Sequence, residues 1–251
     1  MPELGNRDKL WGRLLSLAQK GWGQTHPNPM VGALIVEDGE VVAEGYHLRA
    51  GGGHAETVAL NALGRKPQKN AVLLVSLEPC STHGRTPPCT GAIVQSGIKH
   101  VLVGCSDPNP EHSGRGLKIL EKAGIEVTLA PENFQVRFSR LNFIFNHQIM
   151  TGEPLIALKI SATANGMVAE RAGYPSRVTE AEARADMMNW RRLFPAICVG
   201  SGTVLADNPS LTARKGRETW CPIRLVLDST LSTLAPEVTP RKLYSDQFAD
   251  H

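Results

Sequence analysis

His54-Ala55-Glu56, Pro79-Cys80 and Pro87-Pro88-Cys89 gather one imidazole, one carboxylate and two thiols into three short runs of the chain. One imidazole and two thiolates are a ligand set for catalytic zinc. The thiolates offset the charge of Zn²⁺, and a fourth position stays open for a water whose pKa the metal lowers. Glu56, two residues after His54, is the acid/base group that hydrolytic chemistry at such a position needs.

The order and spacing match the His-x-Glu and Pro-Cys-x-x-Cys signature of zinc-dependent base deamination. Eight residues, in place of two, separate the cysteines. A purely structural zinc is the competing reading. It would need a fourth protein ligand, for which Cys105 is available.

The elements around these residues suit them to a site. His54 to Leu63 reads as a helix closed by Gly64, with His54 and Glu56 in its first turn, where the helix dipole favours an ionised Glu. Ala71 to Leu77 is a fully apolar run, hence a buried strand delivering Pro79-Cys80 at its carboxyl end. Upstream, Leu10, Trp11, Leu14, Leu15 and Ala18 recur at helical spacing between Asn6 and Lys20, and Val31–Val36 and Val41–Gly45 flank the hairpin signal Asp38-Gly39. Downstream, Cys89–Ser96 (helix), Ile98–Val103 (strand), Gly116–Ala123 (helix) and Ile125–Leu129 (strand) alternate, which implies an at least partly parallel sheet covered by helices. Phe134, Phe138, Leu141, Ile144 and Phe145 share one helical face, a stripe for core packing or for a homodimer contact. Thr151-Gly152-Glu153-Pro154 reads as a linker, followed by a strand Leu155–Ile160, a helix Thr179–Leu193 and strands Ala196–Val199 and Arg224–Leu227.

At 251 residues the chain is long enough for two domains. A net charge of +3 with 5% aromatic residues gives little support to a nucleic-acid surface, and so to a deaminase acting on a base in RNA or DNA. Five cysteines, two claimed by the metal motif, with Cys105, Cys198 and Cys221 in or beside apolar runs, indicate reduced thiols and a cytoplasmic setting. The amino-terminal residues mix charge with apolar side chains, and no run has the length of a membrane span.

Pro27-Asn28-Pro29-Met30-Val31-Gly32, the stretch from His47 to Glu56, Leu77 through Cys89, and Asp107-Pro108-Asn109-Pro110 with Gly114-Arg115-Gly116 closely resemble the bifunctional riboflavin-biosynthesis deaminase/reductase family, whose cysteines have this eight-residue gap. The resemblance implies an α/β protein: a cytidine-deaminase-like three-layer α/β/α domain over 1–147, followed by a partial dihydrofolate-reductase-like α/β domain over 151–251. It implies Zn²⁺ on His54, Cys80 and Cys89, with Glu56 catalytic. The substrate it implies is 2,5-diamino-6-ribosylamino-4(3H)-pyrimidinone 5′-phosphate, a phosphorylated pyrimidine. Asn28 and His47 fall on substrate-contact positions of the family, and Arg85 on one suited to the phosphate. Gly51-Gly52-Gly53 suits a tight entry to the helix.

In the second domain, Thr203, Asp207 and Ser229 match cofactor (NADPH) positions, and Arg191, Leu211 and Arg214 match substrate positions. Asn165-Gly166 replaces the usual Asp-Gly, Arg177 a Trp and Pro175 a Ser, and Pro195 stands for a polar residue. Only 22 residues follow Ser229, and no Gly follows Gly216. The expectation from sequence is therefore a deaminase with little or no reductase activity.

Overall fold

The computed structural model describes residues 4–83, 87–110, 112–171, 174, 176, 178–235 and 241–249. The chain divides into two compact units, Met1–Ile156 and Ala157–His251.

In the first unit, α1 (Arg7–Ala18) precedes the hairpin of β1 (Gly32–Glu37) and β2 (Glu40–Tyr46). Asp38 and Gly39, both at positive φ, form its turn. Then follow α2 (Ala55–Leu63), β3 (Val72–Val75), α3 (Cys89–Ser96), β4 (His100–Val103), α4 (Arg115–Lys122), β5 (Glu126–Leu129), α5 (Glu132–Leu141) and α6 (Phe143–Thr151). The sheet order is β2-β1-β3-β4-β5. The β2/β1 and β1/β3 pairs are antiparallel, and β3/β4 and β4/β5 are parallel.

The central strands β1 and β3 are buried on both faces, as their unbroken apolar runs require. On one face Ala33, Ile35, Leu73, Val75, Val101 and Val103 pack with Ala55 and Ala59 of α2, Ile93 of α3 and Leu120 of α4. The alternate residues Leu34, Leu74 and Leu102 are buried on the other face. On that side Trp11 of α1 meets Phe134 and Phe138 of α5, with ring centroids 6.2 and 6.0 Å apart.

The stripe from Phe134 to Phe145 does not run along one helix. It breaks at Asn142, whose Oδ1 accepts from Met30 N at 2.7 Å and whose Nδ2 donates to Met30 O at 3.0 Å. Phe134, Phe138 and Leu141 are buried inside this unit, so they have a partner within the chain itself.

The second unit contains α7 (Ala181–Leu193), β6 (Ala196–Gly200), α8 (Ser201–Asp207), β7 (Ala213–Lys215), β8 (Glu218–Trp220), β9 (Ile223–Leu227) and α9 (Lys242–Ser245). β6 and β9 pair in parallel, and β7 and β8 form an antiparallel hairpin around Gly216. Its small core holds Leu193, Val204, Leu211, Ala213 and Leu243. The α9 segment is tied down by Arg224, whose side chain is 2% exposed and pairs with Asp246 at 2.9 Å. The expected strand Leu155–Ile160 is not one. No strand among the described residues pairs with it, and Ile156 and Leu158 are 89% and 85% exposed. Pro175 and Arg177 lie outside the described residues.

Candidate metal centre and active site

Three local structures deliver the chemistry. His54 is the extended N-cap residue of α2, and Glu56 lies in the first turn of that helix. α2 sits on β2 so closely that a Cβ on Gly45 would fall 2.4 Å from Ala59 N and 2.5 Å from Ala55 O, so only glycine fits there. Cys80 lies on the arm beyond β3, and Cys89 is the first residue of α3. The opening amides of α3 turn toward Cys80: Cys89 N donates to Cys80 Sγ at 3.2 Å and Thr90 N to Cys80 O at 3.2 Å. Two helix N-termini thus converge on one point, which favours anionic ligands there.

His54 Nδ1 lies 3.5 Å from Cys80 Sγ and 3.2 Å from Cys89 Sγ. The three ligand atoms all fall within 4.8 Å of one another. A tetrahedron with Zn–S of about 2.3 Å and Zn–N of about 2.0 Å has an N···S edge of about 3.5 Å, so the donor set fits zinc in type and in spacing. The charge state points the same way. The hydrogen bond from Cys89, helped by His54, pulls Cys80 down to about 4, while the neighbouring Cys80 sulfur and burial push the Cys89 thiol upward. One thiolate is favoured and the second is opposed, which is the balance that a divalent cation reverses.

Glu56 is 3% exposed, and burial pushes its carboxyl up to about 7. Its carboxyl interacts electrostatically with Cys80, His54 and Cys89, so it lies beside the metal ligands. Cys105 is not part of the cluster. Its buried Sγ donates to Ser76 O at 3.4 Å, and burial pushes it up to about 12. Among the described residues the centre therefore has three protein ligands, which disfavours a structural four-ligand site.

His47, 3% exposed, stands edge-on to His54 at 5.7 Å. Its Nδ1 is 3.0 Å from Gly53 O, and its Nε2 is 3.1 Å from Asn28 Nδ2. A carbonyl only accepts, so Nδ1 carries the proton and Nε2 accepts from the Asn28 amide. Burial lowers the His47 pKa, consistent with this neutral ring. Both ring nitrogens are occupied, and Asn28 keeps Oδ1 as an acceptor. The structure thus brings Asn28, His47, His54, Glu56, Cys80 and Cys89 together, while Arg85 lies outside the described residues.

The remaining sequence-derived positions belong to the second unit. Arg191 Nη1 donates to Thr212 O at 2.8 Å, and burial, together with the charge of nearby Arg214, lowers the Arg191 pKa. The Leu211 side chain is buried and its φ is +55°. Thr203 and Asp207 are exposed on α8, and Ser229 is exposed just past β9.

Residues 6–105 match the sequence profile of the cytidine and deoxycytidylate deaminase zinc-binding region, and residues 154–245 that of the RibD C-terminal domain. The fold is similar to the diaminohydroxyphosphoribosylaminopyrimidine deaminase/5-amino-6-(5-phosphoribosylamino)uracil reductase of Thermotoga maritima. The TM-score is 0.85 at 38% identity, covering 95% of this chain and 67% of that one. This chain belongs to the RibD family. Acinetobacter baumannii RibD gives a TM-score of 0.84 at 34% identity, over 97% of this chain and 68% of that one. Riboflavin biosynthesis protein RibD of Escherichia coli K12 is 44% identical over 229 residues, which are 86% of this chain and 62% of that protein. RibD of Bacillus amyloliquefaciens is 44% identical over 218 residues, 87% of this chain and 58% of that protein. The chain thus spans about 60% of the length of these RibD proteins. Its architecture is a cytidine-deaminase-like α/β domain followed by part of a dihydrofolate-reductase-like RibD C-terminal region.

Glu78 and Asn142 escaped the sequence reading as individual residues. Glu78 entered only as part of the run Leu77 through Cys89, with no role of its own. Asn142 carried no local signal, because its partner Met30 lies 112 residues away.

Proposed function

We propose that the chain is a zinc-dependent hydrolase of riboflavin biosynthesis, working in the cytoplasm. It removes the amino group of 2,5-diamino-6-ribosylamino-4(3H)-pyrimidinone 5′-phosphate, and releases ammonia and 5-amino-6-(5-phosphoribosylamino)uracil. The observation that carries this reading is the His54/Cys80/Cys89 cluster with the buried carboxyl of Glu56 against it, in a chain of the RibD family.

His54 Nδ1 and the sulfurs of Cys80 and Cys89 would hold Zn²⁺, which would supply a nucleophile at neutral pH by lowering the pKa of water. Glu56, whose pKa burial brings to about 7, takes the proton of the attacking water. The oxygen adds to the ring carbon bearing the amino group. Glu56 passes that proton to the ring nitrogen, then takes the second proton from the added hydroxyl and gives it to the leaving amine, so the carbon–nitrogen bond breaks as the ring carbonyl forms and ammonia leaves. Asn28 meets a ring-edge N–H with its free Oδ1, and His47 fixes the amide in that orientation. Arg85, between the two cysteines in sequence, takes the phosphate.

In the second unit, Thr203 and Ser229 follow the carboxyl ends of the paired parallel strands β6 and β9, the place where α/β sheets receive ligands. These two residues with Asp207 are the ones that would hold NADPH, a hydride donor. Arg191, Leu211 and Arg214 would face its substrate.

Ammonia release tests the reading. The diaminopyrimidine phosphate should yield one ammonia per molecule converted, and a panel of tRNA and single-stranded DNA should yield none. Deamination confined to the nucleic acids would reverse the assignment.

A further inference from the structure

Asp107, Gly114 and Gly116 take no part in the chemistry above, yet their backbone amides surround a single buried carboxylate. Glu78, 6% exposed, accepts from the backbone N–H of Asp107 and Gly114 at Oε2, 3.2 and 2.9 Å, and from that of Gly116 at Oε1, 2.9 Å. Gly114 is the N-cap of α4, and Gly116 lies in its first turn. The opening amides of a helix have no partners within it, and a glycine cap has no side chain to satisfy them. Glu78 caps α4 from the segment that follows β3, and its carboxylate suits the positive end of the helix dipole.

The same contact fixes the chain just before a metal ligand. Glu78 N donates to Cys105 O at 2.9 Å. Pro79 O lies so close to Gly116 that a Cβ there would sit 2.2 Å from it. Cys80 follows directly. We propose that Glu78 is a positioning residue of the metal centre: by binding the amides of Asp107, Gly114 and Gly116 it holds the Glu78-Pro79-Cys80 arm where Cys80 Sγ meets His54 and Cys89. Glutamine has the same size, but it must turn an NH₂ group toward at least one of the three amides, which then loses its acceptor. Groups that orient a metal ligand typically contribute about 10–100-fold in metal affinity.

This inference rests on the zinc reading, and its test is metal binding by the full chain without substrate. The Zn²⁺ dissociation constant is measured by competition with a chromophoric chelator, and the visible spectrum of the Co²⁺-loaded protein is recorded. Glu78→Gln should bind Zn²⁺ about 10–100-fold more weakly and shift the Co²⁺ spectrum. Gly116→Ala, whose Cβ would press on Pro79 O, should do the same. Glu37→Gln serves as the structural control. Glu37 is also buried, but holds Arg65 and Gln68, so this variant should lose stability and bind metal as the parent does. Parental affinity and spectrum in folded Glu78→Gln overturn the proposal, and so does equal weakening in Glu37→Gln. Should circular dichroism show Glu78→Gln unfolded, Gly116→Ala decides alone by the same two readouts. A parent chain that binds no Zn²⁺ sinks the zinc reading itself, whereas an unchanged Glu78→Gln sinks only this one.

Discussion

Replacing Gly45 with alanine should damage the site from the far side of α2. The added Cβ would lie 2.4 Å from Ala59 N, 2.5 Å from Ala55 O and 2.9 Å from Val58 C. All three are backbone atoms, so no rotamer change relieves the clash. Ordinary contact begins near 3.4 Å, and α2 must therefore withdraw from β2 by about 1 Å. Overpacking of this kind costs about 1–3 kcal/mol, and each kcal/mol lowers Tm by roughly 2–4 °C in a unit of this size. The larger effect falls on chemistry, because the displaced helix carries His54 at its cap and Glu56 in its first turn. A misplacement of about 1 Å in a catalytic array can cost about 100-fold in rate. The assay is kcat/KM for ammonia release, with zinc content and Tm measured on the same preparation. A Gly45→Ala chain with Tm and kcat/KM both indistinguishable from the parent would refute the reasoning, since it would show that α2 does not depend on this close approach.

Cys80→Ser and Cys89→Ser should each lose most of their zinc by metal analysis, and full occupancy in either would remove that residue from the ligand set. Arg85→Ala should weaken the phosphorylated substrate far more than its dephosphorylated form, whereas equal losses in KM would place the phosphate elsewhere. The hydrogen bond from Arg65 holds Glu37 below the usual carboxyl value of 4.5. A depressed folded pKa stabilises fully above the unfolded value and less as pH falls through the folded one. Tm should therefore drop less steeply below about pH 4.5 in Glu37→Gln than in the parent, and identical slopes would deny Glu37 this role.

Much of the site was legible because its residues lie in contiguous runs whose local structure is self-determined. His54 and Glu56 open a helix closed by Gly64, and Cys80 ends a run apolar enough to be a central strand. What escaped depends on partners far along the chain. The apolar stripe from Phe134 onward has helical periodicity on both sides of Asn142, and only the Met30 backbone explains the break between α5 and α6. The contacts of His47 with Gly53 O and Asn28, which occupy both ring nitrogens, have no signature in its local sequence. Leu155–Ile160 is apolar enough for a strand, but an apolar run supplies no neighbouring strand to complete its hydrogen bonds. The β7–β8 hairpin is short and charged, so its register around Gly216 left no hydrophobic pattern to read.

The most direct test of the account compares the parent chain and Glu56→Gln at equal zinc occupancy, following ammonia release from the diaminopyrimidine phosphate. Glutamine preserves the size of the buried side chain but cannot carry the proton. The account predicts that the variant keeps its zinc and its fold and loses about 10²–10⁴-fold in kcat, the usual contribution of a positioned acid/base group. Turnover by Glu56→Gln within a few-fold of the parent would contradict it, and would leave the centre without its proton carrier.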